Sequence, residues 1–430
     1  MKIKIYGINY FPEVTGIAPY TTGMAEGLTA YGHDVSVVTG MPHYPEWRIH
    51  DAYRSRRSYR EIINGVRVHR VRHYVPRNPR PRNRILMEAS FARAALTTTM
   101  DRSSVVIAVS PALLATAGVV AAARLRGIPV GVVVQDLYGK GVVETGAMGG
   151  KSADMAARFE AQVLRAASGV AVIHDRFVGV LNAVGIDDAG LAVIRNWTHL
   201  GLPTEPTSGD STDVRRRYGW GGDELIVVHA GNMGVKQGLD NVVAAARLAA
   251  TELPPCTIRF VLVGDGNQRR KLQEDGRRLP TLEFIEPLPD REFREVLSTA
   301  DVLLLNEKPS VGDMAVPSKL TTYFMTGKPV VGATDQSSAA AGEIRAAGAG
   351  VIVPPADPRP LLDAALSIGR DKTAARQFGE AGKRFSREVL DRDSAICRYE
   401  KWCHELAASA FRTVREPQAG ASTGGRDGVT

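Results

Sequence analysis

Short apolar runs alternate with helical stretches along most of the chain, and this alternation limits the fold more than any other feature of the sequence. A strand buried in a parallel sheet reads as an unbroken apolar run, and crossover helices fill the intervals between such strands. In the first half, runs of this kind occur at 2–8, 34–39, 66–71, 105–109, 130–134, 169–173 and 191–194. The pattern predicts an α/β fold with parallel sheets.

The series of apolar runs is interrupted once and then begins again, which indicates two domains. Residues 201–212 are rich in Pro, Gly, Ser and Thr and are the best candidate for a linker. A second series follows at 224–231, 258–264, 282–285, 302–306, 329–333 and 350–353. Domains usually contain about 100–200 residues, so a chain of 430 residues has room for two. We predict one domain at 1–200, another at 201–385, a helix at 386–413, and a disordered tail at 414–430 that is rich in Gly, Ser and charged residues.

Composition and charge narrow the classes of function. The net charge of +8 permits an anionic partner, such as nucleic acid, anionic lipid or a phosphorylated substrate. The most apolar stretch, 105–134, is broken by Pro111, Arg124 and Arg126, so any membrane contact is expected to be peripheral. Cys256, Cys397 and Cys403 are odd in number and scattered, which indicates neither a disulfide framework nor a metal pattern. We expect a cytoplasmic protein without a metal site.

The most biased segment lies at 54–84, where eleven arginines accompany a single carboxylate, Glu61. Such a run of charge is usually a solvated loop. Here an amphipathic helical segment follows at 85–93, and the combination is typical of contact with an anionic membrane surface, such as the inner face of the plasma membrane, or with an anionic acceptor. The residues expected to make this contact are Arg77, Arg80, Arg82, Arg84 and Phe91.

Glycine-containing loops follow the first predicted strand of each half. Gly16 lies in the first loop, and Gly231, Asn232 and Lys236 lie in the second. Ligands of open α/β sheets bind at the carboxyl ends of strands, where glycine lets the backbone approach and lysine supplies charge for a phosphate. Either loop could be an ordinary turn between a strand and a helix. The position of Lys236 at a strand end favours a diphosphate site.

A third motif predicts a helix whose N-terminus faces an anion. Pro317 suits the first turn of a helix, and the amides of Ser318 and Lys319 would then point out of its end. Gly327 would end the helix, and a strand would follow at 329–333. The alternative is a helix cap with a lysine nearby.

With these motifs the chain resembles the family 4 glycosyltransferases of the GT-B fold, and most of all their colanic-acid and capsular-polysaccharide type. That type carries Gly-Asn-x-Gly-x-Lys-Gln-Gly, found here at 231–238, and Pro-Ser-Lys-Leu, found at 317–320. Further matches lie at 9–13, 134–138, 193–196 and 264–266. Several separated motifs in the family's order make the resemblance specific, and it covers nearly the whole chain.

The resemblance implies two Rossmann-like domains that face each other across a cleft, with the final helix packing back on the first domain through Trp402. It implies that the first domain binds a lipid-linked or saccharide acceptor and that the second binds a nucleotide-diphosphate sugar, with UDP or GDP as the nucleotide. Sugar transfer would retain the anomeric configuration and need no metal or other cofactor. The product would be a cell-surface polysaccharide or glycolipid precursor.

Several positions depart from the family pattern. The family's paired glutamates, eight residues apart, fall on Met314 and Thr322, and its arginine before the phosphate-binding lysine falls on Asn232. Asp313 could replace the first glutamate, and Thr322 could bond a ribose. Asp136 stands near the position of a family histidine, where it could orient the acceptor hydroxyl or stabilise positive charge at the anomeric carbon.

The expected site therefore has a catalytic and a donor-binding part. The catalytic residues are expected to be Asp136, Lys236 and Asp313. The donor-binding residues are expected to be Gly16, Gly231, Asn232, Lys236, Gly264, Pro317, Ser318, Lys319 and Thr322. A sugar-nucleotide epimerase of the same fold and a catalytically inactive scaffold remain open. A nucleic-acid-binding protein that uses the arginine-rich segment is a further alternative, but two nucleotide-binding domains argue against a nucleic-acid partner.

Overall fold

The structure is a computed structural model that describes residues 1–14, 16–78, 80–100, 103–137, 150–187, 190–197, 210–309 and 318–415. The strands of the described residues form two sheets, one from each half of the chain. The predicted α/β class with two Rossmann-like sheets is thereby confirmed.

The first sheet contains eight strands in the order β3-β4-β2-β1-β5-β6-β7-β8. These strands are β1 Lys2–Tyr6, β2 Asp34–Gly40, β3 Ser58–Ile63, β4 Val66–Val71, β5 Val105–Ser110, β6 Val130–Val134, β7 Gly169–Val172 and β8 Leu191–Val193. All neighbours are parallel except β3 and β4, which are antiparallel.

The second sheet contains six strands, all parallel, in the order β11-β10-β9-β12-β13-β14. These strands are β9 Leu225–Ala230, β10 Ile258–Val263, β11 Leu282–Ile285, β12 Val302–Asn306, β13 Val330–Ala333 and β14 Gly350–Val353. The first strand lies in the middle and the order reverses beside it, as in Rossmann folds. Ligands of such sheets bind outside the carboxyl ends of the strands at this reversal.

Helices connect the strands and complete the chain. Their bounds are α1 Ala18–Ala30, α2 Pro81–Leu96, α3 Leu113–Leu125, α4 Gly150–Arg165, α5 Asp175–Asn182, α6 Asp210–Tyr218, α7 Asp240–Glu252, α8 Arg269–Asp275, α9 Asp290–Thr299, α10 Ser318–Thr326, α11 Ala339–Ala347, α12 Pro358–Arg370, α13 Lys372–Val389 and α14 Arg392–Arg415. None of these described helices combines the length and the apolarity that a membrane-spanning helix needs.

Both faces of the first sheet are covered, as a parallel sheet requires. Every residue of β5 and β6 is buried, which explains their unbroken apolar sequences. Apolar side chains of α2, α3 and α4 form a core on one face, and those of α1 and α14 form a core on the other. The carboxyl ends of the strands are therefore left as the open edge of this domain.

Much of the arginine-rich segment forms strands and the start of α2, although residues 72–78 have no regular secondary structure. Residues 58–63 form β3, whose residues alternate between half-buried and exposed because one face of this edge strand meets water. Arg70 on β4 is fully buried and forms an ion pair with Glu61 on β3. The guanidinium carbon of Arg70 also lies 4.9 Å from the centre of the Tyr53 ring. The single carboxylate of the segment thus compensates the charge of its one fully buried arginine.

The last helix begins later than the sequence predicts. Residues 386–389 belong to α13, which packs against α10 and α12 of the second half. The Asp391 carboxylate then accepts a hydrogen bond from the Ser394 amide at 2.8 Å, which caps the start of α14. Residues 416–430, most of the tail predicted to be disordered, lie outside the described residues.

The helix α14 returns to the first sheet and packs closely on it. A Cβ atom added to Gly131 on β6 would lie 2.4 Å from the Trp402 ring, and one added to Gly27 on α1 would lie 2.6 Å from Ile396. Both glycines therefore leave room for side chains of α14. Trp402 itself is only 5% exposed.

Side chains of the two halves also meet directly. Glu343 on α11 accepts hydrogen bonds from Arg195, which follows β8, and lies 2.8 Å from the Nε2 atom of His174, which follows β7. Arg195 also pairs with Asp175 on α5. Glu343 is 3% exposed, and breaking a pair this deeply buried leaves an uncompensated charge. The network links the two halves of the chain.

Trp402→Ala should destabilise the protein, because it leaves a cavity between α14 and the first sheet. We expect the free energy of unfolding to fall by about 3–5 kcal/mol in urea titrations followed by circular dichroism. The control is Lys401→Ala, which changes an exposed neighbour on the same helix and should stay within about 0.5 kcal/mol of the unaltered chain. Equal stability of the two variants would contradict the packing described.

Candidate active site

Two loops at the carboxyl edge of the second sheet, which follow β9 and β10, lie in direct backbone contact. The Gly231 amide donates to the Val263 carbonyl at 2.8 Å, and the Met233 amide donates to the Asp265 carbonyl at 2.8 Å. A Cβ atom at Gly264 would lie 2.2 Å from the Gly231 oxygen. Gly231 and Gly264 also have φ values of 125° and 128°, which favour glycine. The loops after β9 and β10 therefore form one rigid backbone surface.

Lys319 lies beside this backbone surface, on the first turn of α10. Its Nζ atom is 3.1 Å from the Nε2 atom of His229 and close to Gly231. Burial lowers the pKa of Lys319 to about 8, although the nearby Glu307 carboxylate favours the charged form. An anion bound here would meet a lysine that has lost most of its water, and charge attracts more strongly where water is excluded.

His229 orients Lys319. The Nδ1 atom of His229 lies 3.1 Å from the Leu304 carbonyl, which can only accept a hydrogen bond. Nδ1 therefore carries the ring hydrogen and Nε2 is free to accept from the Lys319 ammonium. Burial and the Lys319 charge hold the pKa of His229 well below its usual range, so the ring stays neutral.

Glu307 places a carboxylate between two lysines. It follows β12, and its Oε2 atom accepts a hydrogen bond from Thr334 at 2.6 Å. Burial raises the pKa of Glu307, while the Thr334 hydrogen bond and the charges of Lys319 and Lys236 oppose this shift. Both predicted phosphate-binding lysines are therefore near one acidic side chain.

Lys236 is presented by a tight turn after β9. Residues 235–237 form a single 3-10 turn, and the Gln237 side chain accepts a hydrogen bond from the Gly234 amide at 3.0 Å. The Lys236 carbonyl accepts from the Lys308 amide at 2.8 Å, which ties this turn to the segment after β12. The turn is thus held at both ends while the Lys236 side chain remains half-exposed.

Asp136 lies on the opposite side, two residues beyond the end of β6. Burial raises its pKa to about 6; the charge of Lys236 acts in the opposite direction, and Glu160 on α4 raises the pKa further. Asp136 in the first half and Lys236 in the second are therefore close enough to interact across the cleft. A carboxylate that gains its charge near neutral pH is suited to proton transfer or charge stabilisation.

The Asn-x-x-x-Glu motif at 9–13 holds two loops of the first domain together. The Oε1 atom of Glu13 accepts from the amides of His43 at 2.7 Å and Tyr44 at 2.8 Å, and Oε2 accepts from the Asn9 side chain at 2.7 Å. This buried carboxylate positions the loop after β2 against the loop after β1. As a result, the Tyr44 ring covers Gly16, whose φ of 65° favours glycine.

Aromatic side chains and an arginine lie beside this part of the cleft. The rings of Tyr44 and Trp47 have their centres 5.8 Å apart, and the Arg84 guanidinium carbon is 5.0 Å from the centre of the Trp47 ring. Burial raises the pKa of Tyr44; the charge of Arg84 acts against this shift, and the charge of Asp136 adds to it. A ring of this kind offers an apolar surface on which a sugar could stack near Asp136.

The four predicted surface arginines divide into two groups. Arg84 contacts Trp47 near the cleft, whereas Arg77, Arg80 and Arg82 are exposed around the start of α2. Phe91 corrects the sequence interpretation, because it is 1% exposed and packs in the core with its ring centre 5.8 Å from that of His73. The amphipathic helix is real, but Phe91 belongs to its buried face.

The remaining predicted residues are distributed as follows. Asn232 is exposed beside the backbone of Gly266, and Thr322 on α10 is largely buried. Ser318 begins α10, as the helix-start motif predicts, although its side chain is not among the described ones. Asp313 and Pro317 lie outside the described residues.

Sequence reasoning missed Glu307, Glu160 and the contacts of Tyr44 and Trp47. The signal for Glu307 was present, because it directly follows the apolar run at 302–306 and strand ends carry ligand sites. Glu160 had no such signal, since it lies within a helix and approaches Asp136 only through packing.

The two halves of the chain match two glycosyltransferase domain families. The glycosyl transferase 4-like domain matches residues 15–197, and the domain of glycosyl transferases group 1 matches residues 224–371. WcaI of Escherichia coli K12, described as a glycosyl transferase of colanic acid biosynthesis, is 30% identical over 412 residues, which cover 92% of this chain and 98% of WcaI.

Solved structures show the same architecture. Sucrose-phosphate synthase from Thermosynechococcus elongatus aligns with a TM-score of 0.70 at 18% identity, over 95% of this chain and 99% of its own. Anabaena HepE in complex with UDP aligns with a TM-score of 0.68 at 14% identity, over 94% and 100%. The fold is therefore GT-B, as the resemblance implies. The chain belongs to the family 4 glycosyltransferases of the colanic-acid type.

Proposed function

We propose that this glycosyltransferase moves a sugar, with retention of anomeric configuration, from a nucleotide-diphosphate sugar to a lipid-linked or saccharide precursor of a cell-surface polysaccharide. We propose further that transfer is of the hexosyl type and needs no metal or cofactor. The observation that carries the proposal is the placement of Lys236 and Lys319 beside the loops after β9 and β10, opposite Asp136.

The second half suits a donor diphosphate. The bond from the anomeric carbon to the diphosphate breaks with its electrons leaving on the diphosphate, so negative charge grows there during transfer. Lys236 and Lys319 can stabilise that charge, and the amides at the N-terminus of α10 add partial positive charge. Glu307 lies beside both lysines and offsets their repulsion before the donor binds. UDP is supported by HepE, solved with UDP-glucose, and by an Escherichia coli trehalose-6-phosphate protein bound to UDP-2-fluoro glucose.

Asp136 has the position expected of a group that acts on the acceptor. It lies in the first half, interacts with the charge of Lys236 in the second half, and acts on Tyr44, whose ring packs against Trp47. We assign it to orienting the acceptor hydroxyl or to stabilising positive charge at the anomeric carbon. Either task requires the ionised carboxylate.

Lys236→Met should lower kcat/KM about 100-fold to 1000-fold, because it removes charge stabilisation from the leaving diphosphate. Donors are first selected by thermal shift with UDP-, GDP- and ADP-sugars, and products are then analysed in EDTA with and without acceptor. The matched control is Lys271→Met, which removes an exposed lysine on α8 and should leave the rate unchanged.

Two results would contradict the proposed reaction. Conversion of the donor sugar to an epimer in the absence of acceptor would favour an epimerase. Donor binding without turnover for any acceptor would favour an inactive scaffold. The absence of the family's glutamate pair is the sequence feature that supports this alternative. A requirement for added magnesium would contradict the metal-independent mechanism alone.

Asp136→Asn should abolish most of the turnover and also the acidic limb of the pH profile. For the unaltered enzyme we expect kcat/KM to rise with pH through about 6, because the raised pKa keeps Asp136 protonated below that value. Glu160→Gln removes a like charge that raises the pKa of Asp136, so its acidic limb should move to lower pH. Full turnover by Asp136→Asn would reject the assignment.

Peripheral contact with the inner face of the membrane is proposed from the exposed face of α2. Helical spacing brings apolar and basic exposed residues together there in one stripe. The stripe consists of Arg82, Ile85, Leu86, Ala89, Arg93 and Leu96. Arginines beside apolar residues suit an anionic lipid surface, where each basic residue contributes about 1 kcal/mol.

Leu86→Glu should reduce binding to anionic vesicles by about tenfold in co-sedimentation, because it removes apolar burial and adds like charge. Leu125→Glu is the matched control, since Leu125 at the end of α3 is 87% exposed and lies outside the stripe. Equal binding to neutral and anionic vesicles, or equal loss in the two variants, would reject membrane contact by this stripe.

A further inference from the structure

Three potential metal ligands meet at the edge of the first sheet opposite the cleft. His33 lies in the turn between α1 and β2, and Glu400 and His404 lie one helical turn apart on α14. Because His33 precedes a seven-residue strand, it is separated from the carboxyl edge of the sheet by roughly 20 Å. The cluster is thus distinct from the site of sugar transfer.

The ligand atoms have the spacing of a tetrahedral site. Nε2 of His33 is 3.6 Å from Oε1 of Glu400, and Nε2 of His404 is 3.7 Å from the same oxygen. The three residues each offer a ligand atom within 4.8 Å of the others, and no other group of this kind occurs among the described residues. Ligands held about 2.0–2.1 Å from a tetrahedral zinc ion lie about 3.4 Å apart. Small side-chain movements would therefore complete the geometry.

His33 also presents a buried ring nitrogen that the described protein atoms leave without a hydrogen bond. Its side chain is 7% exposed, and its Nε2 atom has no hydrogen-bond partner among the described residues although it faces Glu400. The other ring nitrogen, Nδ1, lies 3.1 Å from the Met1 amino nitrogen. Binding of a metal to Nε2 requires the ring hydrogen to be on Nδ1, so the Met1 amine must then be neutral and accept that hydrogen. Buried polar atoms are normally satisfied, and a ligand on Nε2 would supply the close partner that the Glu400 carboxylate, 3.6 Å away, does not.

We propose that His33, Glu400 and His404 bind a zinc ion or a similar divalent transition metal that joins α14 to the first domain. Two imidazoles and a carboxylate suit zinc and disfavour magnesium and calcium, which prefer oxygen ligands. One coordination position is left for water. The task is structural, because the ion would lie among the packing contacts of α14 and away from the cleft.

The cluster lies beside the contact between α1 and α14, which a bound metal would strengthen. Gly27 on α1 packs against Ile396 on α14, and Arg392 at the start of the same helix lies 3.8 Å from Glu26 on α1. The three ligands extend this contact at the exposed flank of the two helices. A bound ion would stabilise the folded protein by mass action, since the unfolded chain does not hold the ligands together.

Zinc binding is tested on the full chain without an affinity tag, after dialysis against EDTA and then against buffer. We expect zinc titration to show one ion bound per chain and to raise Tm by a few degrees, with magnesium raising it far less. His404→Ala and Glu400→Gln should each weaken zinc binding by about tenfold or more. His404 is 58% exposed, so its replacement should leave folding intact.

Two matched variants control for adventitious binding. Glu405→Gln changes the neighbouring exposed carboxylate on α14, and His50→Ala removes an exposed histidine elsewhere; both should bind zinc as the unaltered chain does. The proposal is overturned by a chain that takes up no zinc, by equal affinity in His404→Ala, or by an equal effect of magnesium. The assay does not use sugar transfer, so its failure would leave the proposed function untouched.

Discussion

Parallel strands place all their carboxyl ends at one edge of a sheet, and the candidate site of this protein depends on that constraint. Lys236 follows β9, Glu307 follows β12 and Asp136 follows β6, although 171 residues separate the first and last of these along the chain (307 minus 136). The site depends also on the backbone contact between Gly231 and Gly264. Only residues without side chains fit there, so the backbone stays open where a diphosphate would lie.

The charged groups of the candidate site influence one another's protonation. Lys319 is buried beside a neutral His229, which accepts its hydrogen bond without adding a second positive charge. Glu307 favours the charged form of Lys319 from one side, and across the cleft Lys236 favours the ionised form of Asp136. Closing the cleft around a donor would bring these groups into a drier environment, where each interaction becomes stronger. The Glu343 network links the same two halves.

Much of the fold could be predicted from the sequence, because buried parallel strands have a distinct apolar signature. That signature is absent from β3, which alternates polar and apolar residues at a solvated edge and was interpreted as part of a charged loop. Phe91 was assigned to the wrong face of α2, since the segment alone does not say which side meets the core. The contact of Glu160 with Asp136 arises between a helix and a strand end, and no local pattern records it.

The sequence by itself determined the two α/β halves, the glycosyltransferase family, the loop that carries Lys236 and the helix start that carries Lys319, because these depend on local periodicity and on short motifs. Only the tertiary structure decided which charges face each other across the cleft and that His33 meets Glu400 and His404. The physical reason is that such contacts join residues up to several hundred positions apart, and their energies depend on burial and distance, which chain packing sets.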